Sequence, residues 1–119
     1  MIVMIDDNKD LTQITIDLLN LVGYDAMAAS SGEEGIAKAK ELKPKAILCD
    51  IGMPGMNGYE VAKYIRHDNE LKDVCLIAMS GYSSQEYIDR AIEAGFDKHL
   101  SKPVNIEVLK MTLDEIFEN

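Results

Sequence analysis

Short apolar runs alternate with amphipathic helical patterns along the whole chain. The runs at residues 2–5 and 46–49 are continuous, whereas a strand with one solvated face would alternate apolar and polar residues. Between the runs, apolar residues recur at intervals of three and four positions, which predicts helices. The pattern therefore indicates five β–α units with a parallel sheet covered by helices on both faces.

The same pattern predicts where each element lies. Predicted strands cover residues 2–5, 24–29, 46–49, 74–79 and 99–101. Gly23 and Gly95 end the first and fourth helices, while Ser31 with Glu34 and Ser83 with Glu86 fit capping boxes. The residues predicted to face the core are, helix by helix, Leu11, Ile14, Leu18 and Leu21; Ile36, Ala39 and Leu42; Val61, Tyr64 and Ile65; Ile88, Ala91 and Ile92; and Ile106, Leu109, Leu113 and Ile116.

Composition narrows the class of protein. A chain of 119 residues with 47% hydrophobic residues is typical of one globular domain, which we expect to span residues 1–119. The net charge of −9 argues against binding to nucleic acids or to anionic membranes. We find neither an apolar run long enough to span a membrane nor a signal peptide. Only Cys49 and Cys75 are present, which favours free thiols and a cytoplasmic location.

Polar side chains follow four of the five predicted strands, at the point where each strand ends. Asp6 and Asp7 follow the first strand, and Asp50 follows the third. Ser80 and Lys102 come after the fourth and fifth strands. Because the carboxyl ends of parallel strands meet at one edge of a sheet, we expect these five side chains to form one site.

The chemistry of this set points to phosphoryl transfer. Three carboxylates at one edge repel each other unless a cation lies between them, and Mg²⁺ binds such oxygen ligands together with phosphate. Lys102 supplies an ammonium group and Ser80 a hydroxyl for phosphoryl oxygens, so one carboxylate can act as the nucleophile. Each residue alone is as typical of a turn or a helix cap, and only the joint pattern is specific.

These blocks resemble the receiver domain of two-component response regulators. The matching residues are Asp6-Asp7, Asp50 with the following segment 51–58, Ser80-Gly81 and Lys102-Pro103, and the resemblance covers the whole chain. It implies a flavodoxin-like (βα)5 fold, an α/β three-layer sandwich whose five parallel strands have the order 2-1-3-4-5. With the receiver filling the chain, we expect no output domain.

The resemblance also implies a role for each acidic residue. Asp50 would accept a phosphoryl group from a phosphohistidine or a small acyl phosphate. Asp7, Asp50 and the backbone carbonyl of Gly52 would bind Mg²⁺ or Mn²⁺, with Asp6 acting through a metal-bound water. Lys102 would pair first with Asp50 and then with the phosphoryl group.

Other residues would form the switch and control access to the phosphoryl group. Ser80 would move toward a phosphoryl oxygen, and His99 stands where the family usually has Tyr or Phe three residues before the lysine. This imidazole either acts as a modified switch or is an ordinary histidine at the end of a strand. From side-chain size, we expect Gly52 to leave the phosphoryl group open to water and Tyr82 to cover it partly, with Gly81 beside it.

The implied partners are proteins of a phosphorelay. The phosphodonor would be a histidine kinase or a histidine phosphotransfer protein, and the signal would leave through the face formed by the fourth helix, fifth strand and fifth helix. The segments 57–61 and 94–100 resemble receivers of hybrid histidine kinases, which would make this chain part of a larger protein. The domain would catalyse only its own phosphorylation and dephosphorylation.

Three alternatives remain open from the sequence. A small phosphohydrolase with an aspartyl nucleophile usually has Asp-x-Asp after its first strand, whereas Asp6 and Asp7 are adjacent. A flavin-binding electron carrier needs a hydroxyl-rich and glycine-rich phosphate loop, and the loop here is acidic. A degenerate receiver that acts as a scaffold would lack part of the site, but all five residues are present.

Overall fold

Five strands and five helices alternate along the chain in a computed structural model that describes residues 1–81 and 84–118. None of the helices in these ranges has the length and apolar character needed to cross a bilayer. In chain order, the elements are β1 (Ile2–Ile5), α1 (Lys9–Leu21), β2 (Ala26–Ala29), α2 (Gly32–Leu42), β3 (Ala46–Asp50), α3 (Gly58–Arg66), β4 (Cys75–Ser80), α4 (Gln85–Ala94), β5 (Lys98–Ser101) and α5 (Ile106–Phe117).

All strand pairs are parallel, and the sheet has the order β2-β1-β3-β4-β5. Ile2 of β1 lies opposite both Ala26 of β2 and Ala46 of β3, so β1 is an interior strand. The order reverses between β1 and β3, where ligands bind in open α/β sheets. The predicted fold is therefore confirmed.

Two apolar layers cover the sheet, as the continuous strands predicted. Side chains alternate between the layers along each strand, so that in β1 Val3 and Ile5 face one layer while Ile2 and Met4 face the other. The first layer packs against α2, α3 and α4, and the second against α1 and α5. Both faces are thus closed by helices, and only the ends of the strands remain open for polar chemistry.

The predicted core-facing side of α1 is wrong. Leu11, Ile14, Leu18 and Leu21 are exposed, with Ile14 at 57% and Leu21 at 81%, and the buried residues are instead Thr12, Ile16 and Leu19. Thr12 is tolerated in the core because its hydroxyl donates to the carbonyl of Asn8 at 2.7 Å. The helix carries two apolar stripes, and the fold buries the one that contains a threonine.

Smaller differences concern single side chains. Tyr64 and Ile92 are exposed, at 42% and 50%, although Val61, Ile65 and Ala91 from the same predicted stripes are buried. The elements also begin or end one or two residues from the predicted bounds, as β2 does when it begins at Ala26.

The predicted capping boxes differ as well. The Ser31 hydroxyl accepts from the Glu34 amide at 3.1 Å, but the Glu34 carboxylate accepts from Ser30 instead of closing the box. Ser83 lies outside the described residues, and the helix cap of α4 is Ser84. A full capping box occurs at Asn57 and Glu60, where α3 begins.

The two stripes of α1 make a matched test of the fold. We expect Ile16→Ala to lower the free energy of unfolding by about 2–4 kcal/mol, because it removes a buried side chain and leaves a cavity. Ile14→Ala, two residues away, should change it by less than about 0.5 kcal/mol. Chemical denaturation measures both, and equal losses for the two variants would contradict the described orientation of α1.

Candidate functional site

The five polar residues expected at the strand ends lie at one edge of the sheet. Asp6 directly follows β1, Asp50 and Ser80 are the last residues of β3 and β4, and Lys102 directly follows β5. β1, β3, β4 and β5 are consecutive neighbours in the sheet, and all run in the same direction. Parallel pairing therefore gathers residues that are as much as 96 positions apart in sequence.

Three carboxylates form the centre of the site. One oxygen from each of Asp6, Asp7 and Asp50 lies within 4.8 Å of the other two. Asp6 and Asp50 are buried, with 1% and 7% of their surface exposed, while Asp7 is open to solvent. The cluster is therefore a pocket in which Asp6 and Asp50 are buried and Asp7 lies at the rim, accessible to solvent.

The Lys102 ammonium lies between the two buried carboxylates. Its Nζ is 2.9 Å from Asp6 Oδ2 and 3.2 Å from Asp50 Oδ1. The Lys102 backbone amide also donates to the Ser80 carbonyl at 2.9 Å, which ties the end of β5 to the end of β4. One cation thus neutralises part of a cluster of three anions and leaves the site with an excess of negative charge.

Backbone groups hold the carboxylates in place. The Asn8 amide donates to Asp6 Oδ1 at 3.0 Å, while the Asn8 side chain caps α1 by accepting from Leu11. The Gly52 amide approaches Asp50 Oδ1 at 3.4 Å. At Gly58 a Cβ atom would lie 2.6 Å from the Asp50 carbonyl oxygen, so only glycine lets α3 begin this close to the end of β3.

The electrostatics of the pocket follow from burial and crowding. Desolvation by burial, together with the charge of Asp6, raises the pKa of Asp50 although Lys102 opposes this shift. Burial acts to lower the pKa of Lys102, but the two carboxylates outweigh it and the pKa is raised. Burial, together with the charge of the neighbouring Asp50, also raises the pKa of the Cys49 thiol, so this cysteine remains protonated. The acid pair at Asp6 and Asp50 is therefore held under repulsion that one lysine does not cancel.

The donor set fits a hard divalent cation. The three oxygen ligands and the excess negative charge match the preferences of Mg²⁺ and Mn²⁺. Lys102 reaches Asp6 and Asp50 but has no described contact with Asp7. The acidic pocket can thus bind a metal at the side of Asp7.

The remaining predicted residues surround the cluster in different ways. Ser80 is buried at 4% exposure, and Gly52 and Gly81 are exposed with open space where a Cβ would lie. His99 is half-buried on β5, and β4 lies between it and β3, the strand that ends in Asp50. Tyr82 lies outside the described residues, so its proposed covering of the phosphoryl group stays a prediction.

Sequence reasoning did not assign roles to Asn8 and Gly58. Asn8 both caps α1 and binds Asp6, and Gly58 permits the contact of α3 with the end of β3. The Asp-Asp-Asn run that follows β1 could have indicated the capping role of Asn8, since Asn is a preferred residue at helix N-caps. No local pattern indicates the role of Gly58, because the atom that crowds it belongs to Asp50, eight positions earlier in the chain.

Comparison with known proteins bears directly on this site. Residues 2–114 match the response regulator receiver domain. The chain belongs to this family. The receiver is 30% identical over 105 residues to the polar-differentiation response regulator DivK of Brucella ovis, a match that covers 88% of this chain and 85% of that protein. The family resemblance read from the strand-end residues is confirmed.

Solved structures agree with the fold. Chemotaxis protein CheY4 of Vibrio cholerae is 29% identical to this receiver, with a TM-score of 0.91 and coverage of 97% of this chain and 96% of that one. A two-component response regulator from Clostridium difficile is 27% identical, also with a TM-score of 0.91, over 99% and 95% of the two chains. This receiver is thus a module of two-component signalling with a CheY-like fold.

The raised pKa of Asp50 predicts how stability depends on pH. A folded-state pKa above the unfolded value means that ionised Asp50 destabilises the fold, and this penalty disappears as the pH falls through the folded pKa. We expect Asp50→Asn to raise the Tm at neutral pH without metal, and the gain should shrink toward about pH 4. Lys102 keeps its contact with Asp6 in this variant.

Asp25→Asn is the matched control, because it removes one negative charge from an exposed position far from the pocket. Thermal unfolding followed by circular dichroism at several pH values measures the three proteins. An Asp50→Asn protein that is less stable than the parent at neutral pH, or a gain independent of pH, would contradict the repulsion described here.

Proposed function

We propose that this receiver is the phosphoacceptor of a two-component phosphorelay and that Asp50 carries the phosphoryl group. The observation that supports this most directly is the position of Asp50, which is buried at the end of β3 beside Asp6, Asp7 and the ammonium of Lys102. The phosphodonor is a phosphohistidine on a histidine kinase or a histidine phosphotransfer protein. A small acyl phosphate can serve the same reaction.

The transfer forms one bond and breaks one bond. An oxygen of Asp50 forms a bond to phosphorus while the bond from phosphorus to the donor's imidazole nitrogen breaks, and the electron pair stays on that nitrogen. Lys102, 3.2 Å from Asp50, stays beside the carboxylate to bind a phosphoryl oxygen. The hydroxyl of Ser80, at the end of the neighbouring strand β4, donates a hydrogen bond to another phosphoryl oxygen.

Asp7, Asp50 and the carbonyl of Gly52 would hold Mg²⁺ or Mn²⁺, and Asp6 would act through a water. When bound, such a cation offsets the charge of the carboxylates and of the phosphoryl oxygens. The Lys102 ammonium is paired with Asp6 at 2.9 Å and lies within 3.2 Å of Asp50, on the acceptor side of the pocket. Burial and the charge of Asp6 raise the pKa of Asp50, which supports this assignment because a cation beside the carboxylate would offset both effects.

The signal leaves through the surface of α4, β5 and α5, where Ser80 and His99 form the switch. Ser80 ends β4, and His99 lies on the adjacent strand β5. A movement of the Ser80 hydroxyl toward a phosphoryl group therefore changes the packing beside His99, beneath α4. A downstream protein reads this surface. The free thiols of Cys49 and Cys75 fit the cytoplasmic location that such partners share.

Intact mass spectrometry tests the acceptor assignment. Incubation with acetyl phosphate and Mg²⁺ should add one phosphoryl group to the receiver, because Asp50 is the nucleophile. Asp50→Asn should add none, and Asp7→Asn should add it much more slowly through weaker metal binding.

Asp25→Asn controls for the change in charge and should behave like the parent protein. An adduct that survives Asp50→Asn would disprove the assignment. Release of many product molecules per chain from a phosphate ester would instead indicate the phosphohydrolase alternative.

Gly52 offers a test of access to the phosphoryl group. Its Cβ position is open, and its φ is compatible with other residues, so larger side chains fit without strain. We expect Gly52→Leu to lengthen the lifetime of the phosphorylated receiver several-fold by covering the path of water, with Gly52→Ala in between. Loss of the adduct with time measures this, and a lifetime that does not depend on side-chain size at position 52 would refute the idea.

A further inference from the structure

One polar atom in the described part of the chain is buried without a partner. His99 Nε2 has almost no contact with solvent and no hydrogen bond, and it is the only buried side-chain nitrogen or oxygen among the described residues in that condition. Buried polar atoms in folded proteins are normally paired, so an exception calls for an explanation.

The ring lies beneath α4. His99 pairs in register with Ala78 of β4, and Ala78 belongs to the apolar layer that includes Ala91 and Ala94 of α4. The next residue, Leu100, packs on the opposite layer, as alternation along a strand requires. The imidazole therefore occupies the layer between β5 and α4.

Helix α4 depends on this layer for its position. Its buried residues are Ala91 and Ala94, both small, while Ile92 is half exposed to solvent. Two alanine side chains fill little of the space between a helix and a sheet, so this layer leaves room for the ring of His99, while α4 also contacts α3. The same layer holds Ser80, two residues beyond Ala78 on β4 and thus on the same side of the sheet.

The charge state of the ring decides whether it can stay there. In a neutral imidazole Nε2 can be the nitrogen without a proton, which carries a lone pair. A protonated imidazole has an N–H donor on both nitrogens. The layer is lined by apolar side chains, and an enclosed cationic donor without an acceptor is far more costly than a neutral nitrogen. The enclosed position is thus open only to the neutral ring.

Among the described residues, no acid in the elements around His99 is placed to compensate the charge of a protonated ring. Asp97, on the same side of β5, accepts from Arg66 and from the Leu76 amide, and Lys98 pairs with Glu115 of α5. On this side of the sheet β4 contributes Leu76, Ala78 and Ser80, none of which is charged. The charged residues of α4 are exposed; they are Glu86, Asp89, Arg90 and Glu93. On α3, burial raises the pKa of the Tyr59 phenol, and the Arg90 guanidinium lies over the ring of Tyr87.

We propose that protonation of His99 expels its ring from beneath α4, so that this receiver carries a proton-sensitive lock on the helix through which it signals. β5 is an edge strand and His99 is half-buried, so rotation about the Cα–Cβ bond takes the ring to solvent. Its departure removes support from α4 and loosens that helix. A Phe or Tyr ring at this position would not respond to protons in this range.

Nuclear magnetic resonance of the labelled protein tests the lock without any phosphate. The ring signals of His99 and the backbone amides of α4 are followed between about pH 8 and about pH 5, the range in which imidazoles exchange protons. We expect the α4 amides to shift along the same curve as the His99 ring. His67 is the other histidine, exposed at the end of α3, and its titration should leave α4 unchanged.

Two variants complete the experiment. His99→Phe should abolish the pH-dependent shift of the α4 amides, and His67→Phe should retain it in full. A His99 ring that titrates without moving α4, or an α4 shift that persists in His99→Phe, would overturn the proposal. Only the link from α4 to signal output rests on the proposed function, and failure of the phosphoryl adduct at Asp50 would leave this titration unaffected.

Discussion

Repulsion between carboxylates at one edge of the sheet is the constraint on which this structure depends. Asp6 and Asp50 are buried within reach of the same lysine, and Asp7 adds a third negative charge at the rim. Burial, together with the charge of Asp6, raises the pKa of Asp50, and the ammonium of Lys102 only partly opposes this shift. The parallel sheet imposes the positions of these groups, and their excess negative charge favours the binding of a cation in the pocket.

The apolar strands make that arrangement possible. β1 and β3 are buried on both faces, so the free energy of packing comes from the two layers and does not depend on the residues that follow the strands. The strand ends can therefore carry charged residues that oppose folding. Close packing at the same edge adds a further demand, since α3 can begin beside the Asp50 carbonyl only with glycine at position 58.

The layer between β5 and α4 differs from the rest of the core. It holds an imidazole where the family usually has the ring of Tyr or Phe, and the buried residues that α4 contributes to it are Ala91 and Ala94. Ser80 faces this layer as well as the acidic edge. Under the proposed function, a change at Asp50 would reach the packing of α4 through the adjacent strands β4 and β5.

The sequence by itself determined the order of the elements, the parallel sheet and the residues of the site. Periodicity shows a helix or a buried strand, and polar residues at strand ends stand out because the runs before them are wholly apolar. It did not determine which side of α1 faces the sheet, since two apolar stripes share that helix and the choice between Ile14 and Ile16 depends on long-range packing. Nor could it show the 4.8 Å grouping of the carboxylates or the unpaired nitrogen of His99. Those features arise from contacts between distant parts of the chain, and only the tertiary structure brings them together.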